Sequence, residues 1–333
     1  MGAVGLYTHI RANNTRSALL LAGFPVLLTG LIWALTLGLM GAGILPSTGS
    51  VGGDLVRATQ LLVASIPLAV IVSLVWFAIA YFANQTIIDL ATGARPVTRQ
   101  QEPELYNLLE NLAISRGIRT PSLRIIEAEG LNAFATGLNE SQYSISVTRG
   151  LMNTLTRDEM ESVLGHELTH VLNRDCRTMV IASVFAGIIT LLAEVMFRGL
   201  RFGRVGGSAD KNKGAGLLLV IAFAAGAVGY VLAIVIRMSL SRSREFVADA
   251  GSVELTKNPD AMISALRKIE GHAHLEGPDS IRGMFLENQE EGVMGLFATH
   301  PPIEKRIEAL VRFASGRDLS VTEVEAVSHG PWG

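Results

Sequence analysis

A single cysteine, Cys176, stands in this chain of 333 residues. It excludes an intramolecular disulfide and any cysteine-based metal cluster, fits a reducing compartment, and reads most simply as a small apolar side chain on its helix. Charge is scarce as well: Asp, Glu, Lys and Arg make up 17% of the residues, below the roughly 25% usual in soluble domains. A net charge of −2 offers no basic surface for nucleic acid, and the chain has no glycine-rich phosphate loop and no internal repeat. What fills the space is hydrocarbon. Hydrophobic residues reach 49% with a mean hydropathy of +0.38, the composition of a membrane protein.

The hydrophobic residues are gathered into runs. No charge interrupts the stretches between Arg16 and Asp54, between Arg57 and Asp89, or between Lys213 and Arg237. Each holds the roughly 20 apolar residues that cross a bilayer. Their cores lie near 18 to 40, 60 to 82 and 214 to 236. A fourth candidate, Thr178 to Phe197, contains Glu194, which sits in the interface or, on a sharper reading, in a transport path. The first run is too long for a cleaved signal and reads as an uncleaved anchor. The Lys and Arg residues flanking the spans favour both termini in the cytosol, with the basic 198 to 213 loop against. A third-and-fourth-span hairpin that fails to cross fully would remove that conflict and leave the catalytic side unchanged.

The polar remainder carries the chemistry. Residues 156 to 174 open with Thr156 and Glu159 in capping-box spacing, so a helix runs through His166-Glu167-Leu168-Thr169-His170. Two histidines one turn apart project from one face and can grip a single zinc ion, and Glu167 beside the first can reach a water on that ion. Met160, Val163, Leu164 and Val171 form an apolar stripe that half buries the site. Solvated histidines on an ordinary amphipathic helix are the competing reading. Upstream, a helix is expected from Pro103 to Arg116, then short strands at Leu123 to Ala128, Asn132 to Thr136 and Tyr143 to Thr148. Downstream, Pro259 and Pro301 start helices, and the Gly-rich 271 to 295 stretch reads as a mobile surface loop.

Two histidines do not complete a catalytic zinc site. The best third ligand is Glu245, with Asp249 one turn later on the same face to accept the outer N–H of a liganding histidine. Solvated carboxylates paired with Arg242 or Arg244 are the alternative. The expected organisation is residues 1–83 for the N-terminal segment and first two spans, 84–177 for the block with the zinc helix, 178–236 for a transmembrane hairpin, 237–315 for the block with the third ligand, and 316–333 for a tail.

Four stretches in this order, Leu-Asn-Ala-Phe-Ala-Thr-Gly at 131–137, His-Glu-Leu-Thr-His at 166–170, Ser-Arg-Glu-Phe-Val-Ala-Asp-Ala at 243–250 and Thr-His-Pro-Pro-Ile-Glu-Lys-Arg-Ile at 299–307, resemble the HtpX family. These are prokaryotic membrane-bound zinc metalloproteases related to OMA-type peptidases and type I CAAX prenyl proteases. The resemblance implies a mainly α, α+β architecture: a four-span helical membrane protein with a gluzincin-like metalloprotease domain containing a small β-sheet. It also implies a multi-pass location in the plasma (inner) membrane, a catalytic domain facing the cytoplasm, and a stress role in clearing damaged or misfolded membrane proteins beside a membrane AAA protease system. His166, His170 and Glu245 would hold one zinc ion per chain, with Glu167 as the general base. Asn132 would orient a substrate carbonyl on an edge strand that pairs with extended polypeptide, or cap its own loop. His300 would donate to the oxyanion, or cap the helix after it. A prenyl-protein protease and a catalytically silent zinc-stabilised scaffold are the rival functions.

Overall fold

The computed structural model describes residues 6–181, 216–221, 223–224, 226–227, 242–270, 272 and 301–318. It is mainly helical with one small mixed sheet. The chain divides into two compact units, one of residues 16–82 and 181–237, the other of residues 1–15, 83–180 and 238–333.

The first unit is built on two long helices, α1 (Leu6–Gly41) and α2 (Val51–Thr92), each of which runs on into the other unit at one end. Asp54 in the first turn of α2 is buried and accepts from the Thr48 N–H at 2.6 Å and the Ser47 hydroxyl at 2.7 Å, which closes the turn before the helix. Leu37, Met40, Ala58 and Leu218 pack together. Along α2, by contrast, Leu61, Leu68, Leu74, Val75 and Phe82 are exposed. Several side chains of α1 and α2 lie outside the described set, and among the described residues no helix is long and apolar enough to cross a membrane. Most of the third and fourth expected spans, with Glu194 and the 198–213 loop, lie outside the described residues.

The second unit holds the polar blocks. After β1 (Arg95–Pro96) comes α3 (Pro103–Ser115), which stops as expected at Gly117, where φ is +65°. Then follow β2 (Ser122–Ile126), β3 (Ala133–Thr136) and β4 (Ser144–Thr148). Their order is β1-β2-β4-β3, parallel between β2 and β4 and antiparallel elsewhere, so β3 is an edge strand. A short helix that the sequence pattern did not announce, α4 (Arg149–Thr154), begins where the Thr148 hydroxyl accepts from the Leu151 N–H. The metal-motif helix is α5 (Arg157–Leu172), and α6 (Arg242–Thr256), α7 (Pro259–Ile269) and α8 (Ile303–Ala314) come later in the chain. Leu109, Leu123, Ile145, Val163, Leu164, Leu168 and Ile269 join α3, the sheet, α5 and α7 in one core.

Glu159 fastens the start of α5 twice. Its carboxylate accepts from the Thr156 N–H at 2.7 Å while the Thr156 hydroxyl accepts from the Glu159 N–H, the reciprocal box expected from the spacing. The same carboxylate reaches across to Lys268 at 2.8 Å and Ser264 at 2.6 Å on α7. Burial pushes this acid upward, but Lys268, Ser264 and the Thr156 N–H outweigh it and hold it below the usual carboxylate range. A depressed folded-state value means stability that is present above the unfolded pKa, near 4.5, and is lost as pH falls through the lower folded value. Glu159→Gln is therefore expected to cost about 1–2 kcal/mol at neutral pH, with the difference from wild type shrinking below pH ~4.5. Denaturant unfolding at both pH values checks it, and a pH-independent difference would count against the ionic role.

Candidate metal centre and active site

The site begins with how closely α5 and α6 approach. Gly251 faces Thr169, and a Cβ at Gly251 would lie 2.4 Å from Thr169 Cγ2. Gly165 sits against Ser252, whose hydroxyl donates to the Ser162 carbonyl at 2.5 Å. Small residues at the crossing bring the α6 backbone onto α5. That close approach carries Glu245, in the first turn of α6, to the two histidines of α5. Gly251→Ala is expected to cost about 1–3 kcal/mol by overpacking and to weaken metal retention by displacing α6. Adding Thr169→Ala should recover part of both losses. Chelator competition measures retention, and an unaltered single variant would show that the crossing has slack.

His166, His170 and Glu245 converge with donor atoms within 4.8 Å of one another. The two Nε2 atoms are 3.2 Å apart, and Glu245 places Oε2 3.5 Å from His166 Nε2 and Oε1 3.7 Å from His170 Nε2. Each Nδ1 is turned to a carboxylate: His166 to Asp249 and His170 to Asp175, both at 2.9 Å. A carboxylate only accepts, so each ring carries its proton on Nδ1 and aims the Nε2 lone pair inward. Two lone pairs at that separation repel unless a cation lies between them. Nitrogens at Zn–N ≈ 2.0–2.1 Å on a tetrahedral zinc lie about 3.3–3.4 Å apart, and two imidazoles with one carboxylate are a known catalytic zinc set. The residues present fit the ion.

The partners behind these ligands are strongly charged. Asp249 accepts both from His166 and from the fork of Arg306, at 2.6 Å to Nη2 and 2.9 Å to Nε. Arg306 is fully buried and lies 4.0 Å from Glu245. Burial pushes Asp249 upward, but Arg306 and His166 hold it below the usual carboxylate range. Burial alone would depress His166, yet without a metal ion the hydrogen bonds to Asp249 and Glu245 raise it to about 9; a cation at Nε2 would take the place of that second proton. Glu167 is buried, and burial raises its pKa against the pull of both imidazoles and of the Ala135 N–H that it accepts. The Asn132 backbone pairs with Thr148, so Ala133 and Ala135 direct their polar groups to the side of β3 away from β4, where the Ala133 N–H donates to Asn132 Oδ1 and the Ala135 N–H to Glu167. The outer edge of the sheet thus runs beside Glu167.

The structure brings His166, Glu167, His170, Glu245 and Asp249 together, all buried. Asn132 is buried immediately before β3, where its Oδ1 accepts from the Ala133 N–H at 2.9 Å. His300 lies outside the described residues. No role for Asp175 or Arg306 follows from the sequence pattern, although Arg306 stands within the 299–307 stretch. Asp175 reaches His170 only because Arg174 turns into the left-handed region at φ 59° after α5, a conformation uncommon for a residue with a side chain.

A buried His-Glu-X-X-His helix facing a glutamate on a second helix defines a metallopeptidase, a hydrolase. The profile described as Peptidase family M48 matches residues 99–314, and the chain belongs to that family. Among its curated relatives, a protein named Protease HtpX homolog from Bacteroides fragilis is 41% identical over 323 residues, covering 94% of this chain and all of the relative. Proteins of the same name from Streptococcus gordonii and Nostoc punctiforme are each 35% identical, covering 92% and 90% of this chain and 99% and 96% of their own lengths. A crystal structure of S. mikatae Ste24p aligns with 20% identity and a TM-score of 0.47, over 72% of this chain and 57% of that one.

Proposed function

We propose that this protein is a membrane-bound endopeptidase that uses one zinc ion, held by His166, His170 and Glu245, to cut damaged or misfolded membrane proteins on the cytosolic side. The observation that carries the reading is the pair of inward Nε2 atoms 3.2 Å apart, each backed by a carboxylate on Nδ1. When bound, zinc supplies a Lewis acid that polarises the scissile carbonyl and acidifies the attacking water.

The chain's own residues do the rest. Glu167 takes the proton from the attacking water and passes it to the leaving amine, and burial suits it to both halves by raising its proton affinity. Asp175 and Asp249 fix the tautomers and orientations of His170 and His166. An extended substrate pairs with the outer edge of β3, which gives affinity with little sequence choice, and Asn132 orients a carbonyl there. His300 serves the oxyanion.

The uncharged runs at 18–40, 60–82 and 214–236, and the 178–197 run with its single Glu194, are taken as spans, supported by the exposed apolar side chains of α2. The plasma membrane, the cytosolic orientation, the stress role and a membrane AAA protease beside it belong to the same proposal. Removal of zinc by a chelator is expected to abolish cleavage of an unfolded model protein in detergent, and zinc readdition to restore it. Cleavage that persists in metal-free protein would overturn the reading, as would a cytosol-only reporter silent after residue 100 for the orientation.

A further inference from the structure

Arg244 stands beside the metal donors and has no part in the chemistry above. It is 6% exposed. Among the described residues its ion-pair partner is Glu245, with Nε 3.8 Å from Oε1, beyond hydrogen-bonding reach. That Nε has no hydrogen-bond partner among the described residues. A guanidinium carries five N–H donors in a rigid fork, and a buried donor left without a hydrogen bond is costly. Arg306, the other buried arginine of the centre, shows the satisfied state, closed bidentately on Asp249.

The position of Arg244 indicates what its fork serves. Glu245 Oε1 is the oxygen facing His170, and the His170 side chain is 11% exposed against 1% and 2% for His166 and Glu245. Arg244 therefore lies on the His170 side of the centre, where the ligand side chains are least covered. Its charge helps offset Glu245, but an ammonium would do that equally; a fork with an unbonded N–H calls for a planar oxygen acceptor.

Resting on the peptidase reading, we infer that Arg244 is a substrate-binding residue that donates to a main-chain acceptor oxygen of the bound polypeptide. The oxygen is either a backbone carbonyl near the cleaved bond or the carboxylate of the chain end. The test uses zinc-loaded Glu167→Gln, which holds substrate uncut, and a fluorescent unstructured peptide followed by anisotropy. Adding Arg244→Gln is expected to weaken peptide binding by about tenfold or more, with zinc retention against a chelator unchanged and Arg244→Lys intermediate. A peptide acid that loses more than its C-terminal amide identifies the chain end as the acceptor; equal losses identify an internal carbonyl. Equal affinities with and without Arg244, or parallel loss of zinc and peptide, would overturn the assignment. If Glu167→Gln itself binds zinc but no peptide, the peptidase reading fails first and takes this assignment with it.

Discussion

Glu167→Gln is expected to retain zinc and to lose cleavage by about 10²–10⁴-fold, the range that a positioned general base contributes. Glu167 is not among the converging donor atoms, so the substitution leaves the ligand set intact. The amide is nearly isosteric and can still accept from the Ala135 N–H, so strand and helix should keep their relation. What disappears is the ability to take a proton. Full folding, full zinc and near-zero turnover would isolate that single role. Proteolysis at the wild-type rate in a zinc-loaded variant would place the base elsewhere.

The second large effect belongs to Glu245. Glu245→Ala removes one of the three proposed ligands from a buried site and is expected to cost more zinc affinity than the roughly 10–100-fold typical of losing an outer partner. Asp175→Asn supplies that lower comparison, because it weakens the hold on His170 Nδ1 without touching a ligand atom. The ordering, Glu245→Ala worse than Asp175→Asn and both worse than wild type, is measured by chelator competition. Equal zinc affinities for Glu245→Ala and wild type would remove Glu245 from the first coordination sphere.

Local and distant parts of this site differ in how plainly the sequence states them. His166, Glu167 and His170 share one helix, and their spacing alone puts the imidazoles on one face; the Thr156–Glu159 box fixes where that helix starts. Glu245 and Asp249 follow the same one-turn logic on α6, once a third ligand is sought. Asp175 escapes such reasoning because a helical period would carry it away from His170, and only the left-handed turn at Arg174 returns it. Arg306 escapes for another reason: on α8 it reads as one more charge of an amphipathic helix. Its bond to Asp249, 57 residues away in sequence, exists only after α8 packs on α6 and α7. The two-residue β1 and the six-residue α4 are too short to leave a periodic trace.

Zinc content and zinc-edge X-ray absorption of the wild-type protein, purified without chelators, test the metal centre most directly. One zinc per chain coordinated by two imidazole nitrogens and carboxylate or water oxygens is the expected result. Protein that holds no zinc, or zinc with a sulfur ligand or a single imidazole, would contradict the assignment of His166, His170 and Glu245.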